Sequence, residues 1–258
     1  MSTPAQALLT PAADFEQTPQ DRAALARLTT ASHILYVEGH NDFNHGQISA
    51  RRGNSDRYWI RGAAMGFDEV TVDSFALCGM DGAKLTGTVT VPPEWPIHSA
   101  VYGRLPKVNA IIHSHAPNAL IFGARHRTLV PLSHDGCVFH NALGYFDLTT
   151  NTILDLAIAH SMADALGEGK AILLKNHGLV TVGRNIREAT VLALCLEQAC
   201  ALQLRAEASG HLSGSDPEDT TAKNDFIFSD VAVSTYWSYF ERKLGRIRSG
   251  LQLPQYRA

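Results

Sequence analysis

Three histidines carry the strongest chemical signal in the chain. His113 and His115 stand two apart, where the apolar run Val108 to His113 ends. On a strand that continues through His115 both imidazoles leave the same face, because side chains alternate. Two neutral imidazoles on one face are half of a metal site. A third, with one position left open, gives the arrangement of a catalytic ion rather than a structural one. His177 is the candidate third ligand. It lies in Lys175-Asn176-His177-Gly178, just after the apolar run Ala171 to Leu174, beside a glycine that permits a sharp turn. Spacing alone leaves open whether the two segments meet. Upstream, Glu94, His98 and Tyr102 recur at four-residue intervals, so a helix opening near Pro92 aligns them on one face. A carboxylate there can move protons, although the helix dipole alone also favours an acid in a first turn.

Further polar residues are candidates for holding a substrate. Arg51 and Arg61 offer guanidinium forks that match a carboxylate. His40, His45 and His134 offer donors or proton carriers with ordinary pKa values of about 6.5. The other histidines, including His33, His126, His140, His160 and His211, occupy unremarkable surroundings among the twelve in the chain. The four cysteines are scattered, and Cys195 and Cys200 fall in an apolar helical pattern, so they read as core thiols rather than disulfides or zinc ligands.

The elements that must position these residues follow from periodicity and punctuation. Leu25, Leu28, Ile34 and Leu35 mark a helix over 21–37, ended by Gly39. Residues 47–51 and 58–61 read as two strands around Gly53-Asn54, and Phe75 to Cys78 opens a second hairpin through Asp81-Gly82. Pro92 and Pro93 open a helix through Tyr102. Val108 to His113, Ala171 to Leu174 and Leu179 to Val182 are buried strands. Ile153 to Leu166 is an amphipathic helix, and Asn185 with Glu188 resembles a capping box that opens a long helix to about Ala208. Gly210 to Asn224 reads as a polar loop, and Val231 to Ile247 as a closing helix bearing Tyr236, Trp237 and Tyr239.

The whole chain sets bounds. With 258 residues, 45% of them hydrophobic, it can build a large α/β domain without staples. A net charge of −3 and the absence of a Lys/Arg run exclude a nucleic-acid or anionic-membrane surface as the expectation. No apolar stretch approaches the roughly 20 residues of a membrane span. Residues 1–20 lack a signal peptide's basic and apolar regions, so they read as a flexible leader to a domain over 21–258 of a cytoplasmic protein.

Taken together, Glu94-Trp95, His98, Tyr102, Pro106, the strand ending His113-Ser114-His115, and Asn176-His177-Gly178 resemble the class II aldolase/adducin family, over about Asp21 to Ala208. The resemblance implies an α/β fold: a single α/β/α domain with a central, mostly antiparallel sheet covered by helices. It implies that His113, His115 and His177 bind one divalent metal ion per subunit, with zinc favoured and manganese or iron as alternatives. Glu94 matches the family's acid/base glutamate, and His98 is placed beside it. It also implies a homotetramer whose C-terminal residues, with Tyr236 as candidate, reach a neighbour's site. The sugar-phosphate aldolases of the family hold phosphate on a Gly-Asn loop, a Thr-Gly pair and a Ser-Ser pair. Here those places read His45-Gly46-Gln47, Arg61-Gly62-Ala63-Ala64 and Pro92-Pro93. Prolines offer neither hydroxyl nor N–H. The segments Gly39 to Gly46 and Ser133 to Gly136 resemble instead the branch that decarboxylates hydroxylated aromatic or heteroaromatic carboxylates. The expectation is a metal-dependent carbon–carbon lyase on a small-molecule carboxylate. An aldolase or epimerase on a phosphate-free substrate, or a non-haem iron oxygenase, are the alternatives.

Overall fold

A computed structural model describes residues 16–125 and 128–250, so most of the expected leader lies outside the described residues. Helix α1 (Pro19–Val37) opens on a capping box. Thr18 Oγ1 accepts from the Asp21 N–H, and the Asp21 carboxylate accepts from the Thr18 N–H, which satisfies two otherwise orphaned donors. The strands β1 (Gln47–Arg51), β2 (Arg57–Arg61), β3 (Phe75–Gly79) and β4 (Lys84–Thr86) then form an antiparallel meander. Helix α2 (Trp95–Arg104) starts three residues later than the sequence suggests. Each proline of the Pro92-Pro93 pair pushes the residue before it towards extended backbone. Glu94 therefore becomes the N-cap, free to aim its side chain away from the helix.

The chain continues through β5 (Ala110–Ser114), α3 (Pro117–Ala124), the single turn α4 (His134–Cys137), β6 (Leu143–Phe146), α5 (Leu156–Leu166), β7 (Ala171–Leu174) and β8 (Gly178–Gly183). It closes with α6 (Ile186–Glu207), α7 (Pro217–Ile227) and α8 (Asp230–Arg248). Asn185 caps α6 by accepting from the Glu188 N–H, but the Glu188 carboxylate binds Arg184 instead of completing a box. The expected loop over 210–224 contains α7, capped by Asp216 with Pro217 in its first turn. Only Thr220 and Ile227 of α7 are buried, so no apolar stripe announces it.

The sheet runs β4-β3-β2-β1-β5-β8-β7-β6, antiparallel throughout except for the β6/β7 pair. Strand alternation splits the core in two. Ile48, Ala50, Trp59, Leu77 and Ile112 pack under α1, α3, α6 and α8; Tyr58, Ile60, Ala76, Ile111 and Val180 pack under α2 and α5. The result is the expected α/β/α sandwich with a mostly antiparallel sheet. None of its described helices is long and apolar enough to cross a membrane.

Candidate metal centre

β5 and β8 are neighbours, with His113 opposite Val180 and Ser114 opposite Leu179. That pairing brings the turn before β8, which bears His177, against the end of β5. The turn depends on Asn176, whose φ of 55° lies in the left-handed region that Asn tolerates better than most residues. Gly178 serves a different need: a Cβ there would sit 2.4 Å from the Ser114 carbonyl oxygen and 2.9 Å from the His115 ring. The glycine is therefore required by close approach of two strands rather than by the bend.

The three imidazoles form a triangle, with ring centroids 5.1 Å (His113–His115), 4.9 Å (His113–His177) and 5.2 Å (His115–His177) apart. Glu94 faces them from the N-terminus of α2, with Oε2 3.4 Å from His113 Nε2 and Oε1 3.2 Å from His177 Nε2. The Ile153 N–H donates to Glu94 Oε1 at 3.1 Å and fixes the carboxylate from below. Burial raises the carboxyl's proton affinity, and positive charge facing it, on the His113 and His177 imidazoles when they carry a second proton, lowers it below the usual carboxylate range.

Hydrogen bonds decide which ring nitrogens face inward. His113 Nδ1 is 2.9 Å from the Leu179 carbonyl oxygen, which only accepts, so Nδ1 carries the proton and Nε2 presents a lone pair. His115 Nδ1 donates to Asp42 Oδ2 at 2.7 Å, with the same consequence. Both inward Nε2 atoms are buried without a hydrogen-bond partner. Lone pairs of imidazole and carboxylate thus converge on one point, an arrangement that costs free energy unless a cation lies among them. Glu94, His113, His115 and His177 have ligand atoms within 4.8 Å of one another. The donor set fits a divalent ion, and backbone and carboxylate partners on the outer imidazole nitrogens are the usual support for metal-binding histidines.

A cavity of about 440 Å³ opens over the cluster, lined by Glu94, His115 and His177 together with Asn44, His45, Gln47, Arg61, Thr152 and the apolar Ala63, Ala64, Pro92 and Pro93. Of the residues expected to bind substrate, His45 and Arg61 line it. Arg61, however, does not extend its fork. It is 1% exposed, and its terminal nitrogens donate to the carbonyls of Met65, Asn44 and Gly46. With no carboxylate partner, these terminal N–H groups are satisfied on backbone oxygens, while the buried Nε has no hydrogen-bond partner. Arg51 is spent likewise on the carbonyls of Tyr102 and Val108, away from the cavity. His134 lies on α4 beside Asp135, and Tyr236 lies exposed on α8; neither lines the cavity. Trp237 is 1% exposed and belongs to the core. His98 sits fully buried behind the cluster, its Nδ1 2.7 Å from Ser49 Oγ. Burial, and then His113, depress its pKa to about 3, so it is neutral.

Asp42, Gln47 and Thr152 escaped the sequence reading. Gln47 faces His113 across the β1/β5 ladder, a relation visible only after the strands pair.

The model of the class II aldolase and adducin N-terminal domain matches residues 26–204. The chain belongs to this family. It is 34% identical over 170 residues to a 4-hydroxy-3-prenylphenylpyruvate oxygenase/4-hydroxy-3-prenylbenzoate synthase of Streptomyces roseochromogenus subsp. oscitans, covering 64% of this chain and 59% of that one. It is 35% identical over 159 residues to decarboxylase NovR of Streptomyces niveus, covering 61% and 59%. The chain thus spans less than two thirds of the length of these two relatives. The fold matches the L-fuculose 1-phosphate aldolase of Glaciozyma antarctica PI12 with a TM-score of 0.80 at 24% identity, over 90% of this chain and 92% of that one.

Proposed function

We propose that this protein is a metal-dependent carbon–carbon lyase that decarboxylates a hydroxylated aromatic or heteroaromatic carboxylate. The observation that carries the reading is the company the His/Glu cluster keeps. Glu94, His115 and His177 share a cavity lining with the apolar Ala63, Ala64, Pro92 and Pro93. These residues suit a flat ring, and the two prolines offer a phosphate neither hydroxyl nor N–H. The similarity to decarboxylase NovR supports the same reading.

His113, His115 and His177 would hold the ion, which supplies Lewis-acid stabilisation to a substrate oxygen. Zinc is the first choice, with manganese or iron as the alternatives. Glu94, held as a carboxylate, takes the proton of the substrate hydroxyl and returns it to the ring carbon that bears the carboxylate. The bond to the carboxylate then breaks, its electron pair restores the aromatic ring, and CO2 leaves. One solvent proton completes the balance. Ile153 N–H keeps Glu94 aimed during both transfers, and the neutral His98 braces the floor rather than carrying a proton. We further propose a homotetramer, in which the exposed Tyr236 and Tyr239 of α8 lie at a subunit border; light scattering on the purified chain tests it.

A second reading rests on the similarity to the prenylphenylpyruvate oxygenase: with iron, the same three histidines serve an oxygenase. One experiment separates the two. The chain loaded with zinc, manganese or iron(II) is offered a panel of hydroxylated benzoates, pyridine carboxylates and arylpyruvates. CO2 release without O2 consumption supports the decarboxylase. O2 uptake with iron alone replaces it, and aldehyde release from phosphate-free hydroxy acids or sugars points to aldol cleavage.

A further inference from the structure

The loop between α1 and β1 reaches the metal centre through one residue. The Asp42 carboxylate accepts from His115 Nδ1 at 2.7 Å, and the same oxygen accepts from His45 Nδ1 at 3.1 Å. The loop is held in place from three directions. His40, 1% exposed, has its Nδ1 2.9 Å from Ser114 Oγ, on the residue between the two strand-end histidines. The Asp42 carbonyl accepts from the His45 N–H at 2.9 Å and closes a turn in which Phe43 adopts a φ of 48°. The buried Arg61 guanidinium binds the carbonyls of Asn44 and Gly46. Gly46 packs so closely on β5 that a Cβ would stand 2.9 Å from the His113 carbonyl oxygen. A left-handed Phe43, 88% exposed, is a conformation that a non-glycine residue adopts only when its surroundings impose it.

We propose that Asp42 is a positioning residue for the metal centre: its carboxylate locks His115 in the tautomer and orientation that a metal ion needs, and the loop's anchors at Ser114 and Arg61 exist to hold it there. This rests on the assignment of His113, His115 and His177 as metal ligands. A free imidazole exchanges its proton between the two nitrogens, and one of its two tautomers presents an N–H to the ion. A carboxylate on Nδ1 removes that loss, fixes the ring plane and makes Nε2 a better donor. His113 obtains the same service from the Leu179 carbonyl inside the sheet. His115 lies one residue past the end of β5, where the ladder offers it no carbonyl, so a loop residue must supply the acceptor.

The test is zinc affinity, measured on the full chain by competition with a chromophoric chelator. Asp42→Ala should weaken zinc binding by about 10- to 100-fold, and Asp42→Asn, which keeps an acceptor oxygen but loses the charge, by less. The metal-free thermal melt should move little in either variant. In a His115→Ala background the Asp42→Ala change should cost nothing further, because the two residues act as a unit. A wild-type chain that binds zinc alongside an Asp42→Ala variant that binds it within twofold overturns the proposal and leaves the ligand assignment standing. Equal loss with and without His115 also overturns it, since Asp42 would then act on the fold. A wild-type chain that binds no zinc overturns both. If Asp42→Ala fails to fold, the near-isosteric Asp42→Leu, which also removes the acceptor, decides by the same criteria.

Discussion

Two buried polar clusters in this molecule invite comparison. At one, the Asp21 carboxylate, 3% exposed, accepts five hydrogen bonds: from Thr18 N–H and Oγ1, from Arg52 Nε and Nη2, and from Trp59 Nε1. At the other, Glu94, His113 and His115 turn acceptors towards one another beside His177, and the Nε2 atoms of His113 and His115 are buried with no hydrogen-bond partner. The first cluster ties α1 to β1 and β2 and is complete as it stands. The second is incomplete in protein atoms alone. Burying polar groups costs free energy unless each finds a partner. Satisfied clusters therefore hold folds together, and unsatisfied ones are places where the fold spends stability on a ligand.

The largest effect that would sharpen this contrast is on catalysis. Glu94→Gln should reduce turnover about a thousandfold, yet leave the metal-free chain at least as stable as the wild type, because the amide gives the imidazole lone pairs a donor. A substantial loss of metal-free stability, read in a urea titration, would break the comparison. At the other cluster the signs reverse. Asp21→Asn should leave zinc affinity unchanged and cost about 3 kcal/mol of stability, the lower end for breaking a buried pair, since Arg52 is one-quarter exposed.

That cost depends on pH. Burial raises the Asp21 pKa, but the Arg52, Trp59 and Thr18 hydrogen bonds outweigh it and hold the carboxyl well below the usual carboxylate range. A depressed carboxyl stabilises the fold above its unfolded pKa of about 3.9 and loses that contribution as pH falls towards the folded value. The gap between wild type and Asp21→Asn should therefore be full at neutral pH and narrow below about pH 4. Urea midpoints across that range measure it, and a gap that widens in acid refutes the assignment.

Metal removal comes next. Zinc at a hundredfold excess over its Kd should stabilise the wild type by about 2.7 kcal/mol, a shift that a chelator reverses and His177→Ala abolishes. The smallest effect expected is that of Tyr102→Phe. Loss of the 2.8 Å bond to Ser49 Oγ should cost about 1 kcal/mol, checked by calorimetric melting, without removing zinc.

Much of this was legible in the residues, for reasons that differ along the chain. Strands with strong alternation or unbroken apolar runs, such as Ile111-Ile112 and Ala171 to Leu174, announce themselves because burial demands it. Helix α7 did not, because a surface helix held by a cap and a first-turn proline leaves no apolar stripe. His113, His115, His177 and Glu94 stood out because few other reasons place those residue types at strand and helix ends in that order. The arginines were harder to read, since a guanidinium's role depends on what surrounds it. Arg51 and the terminal nitrogens of Arg61 donate to backbone carbonyls, although Arg61 lines the cavity as expected.

What the sequence determined alone, then, is a candidate ligand set and the strands and helix that carry it. Side-chain type and strand period are local properties. The tertiary structure decided the rest: that the β5/β8 pairing brings His177 to His113, that Gln47 faces the cavity across the β1/β5 ladder, and that Asp42 reaches His115. Each joins segments far apart in the chain, and their distances are set by sheet order and loop anchoring, which no local pattern encodes.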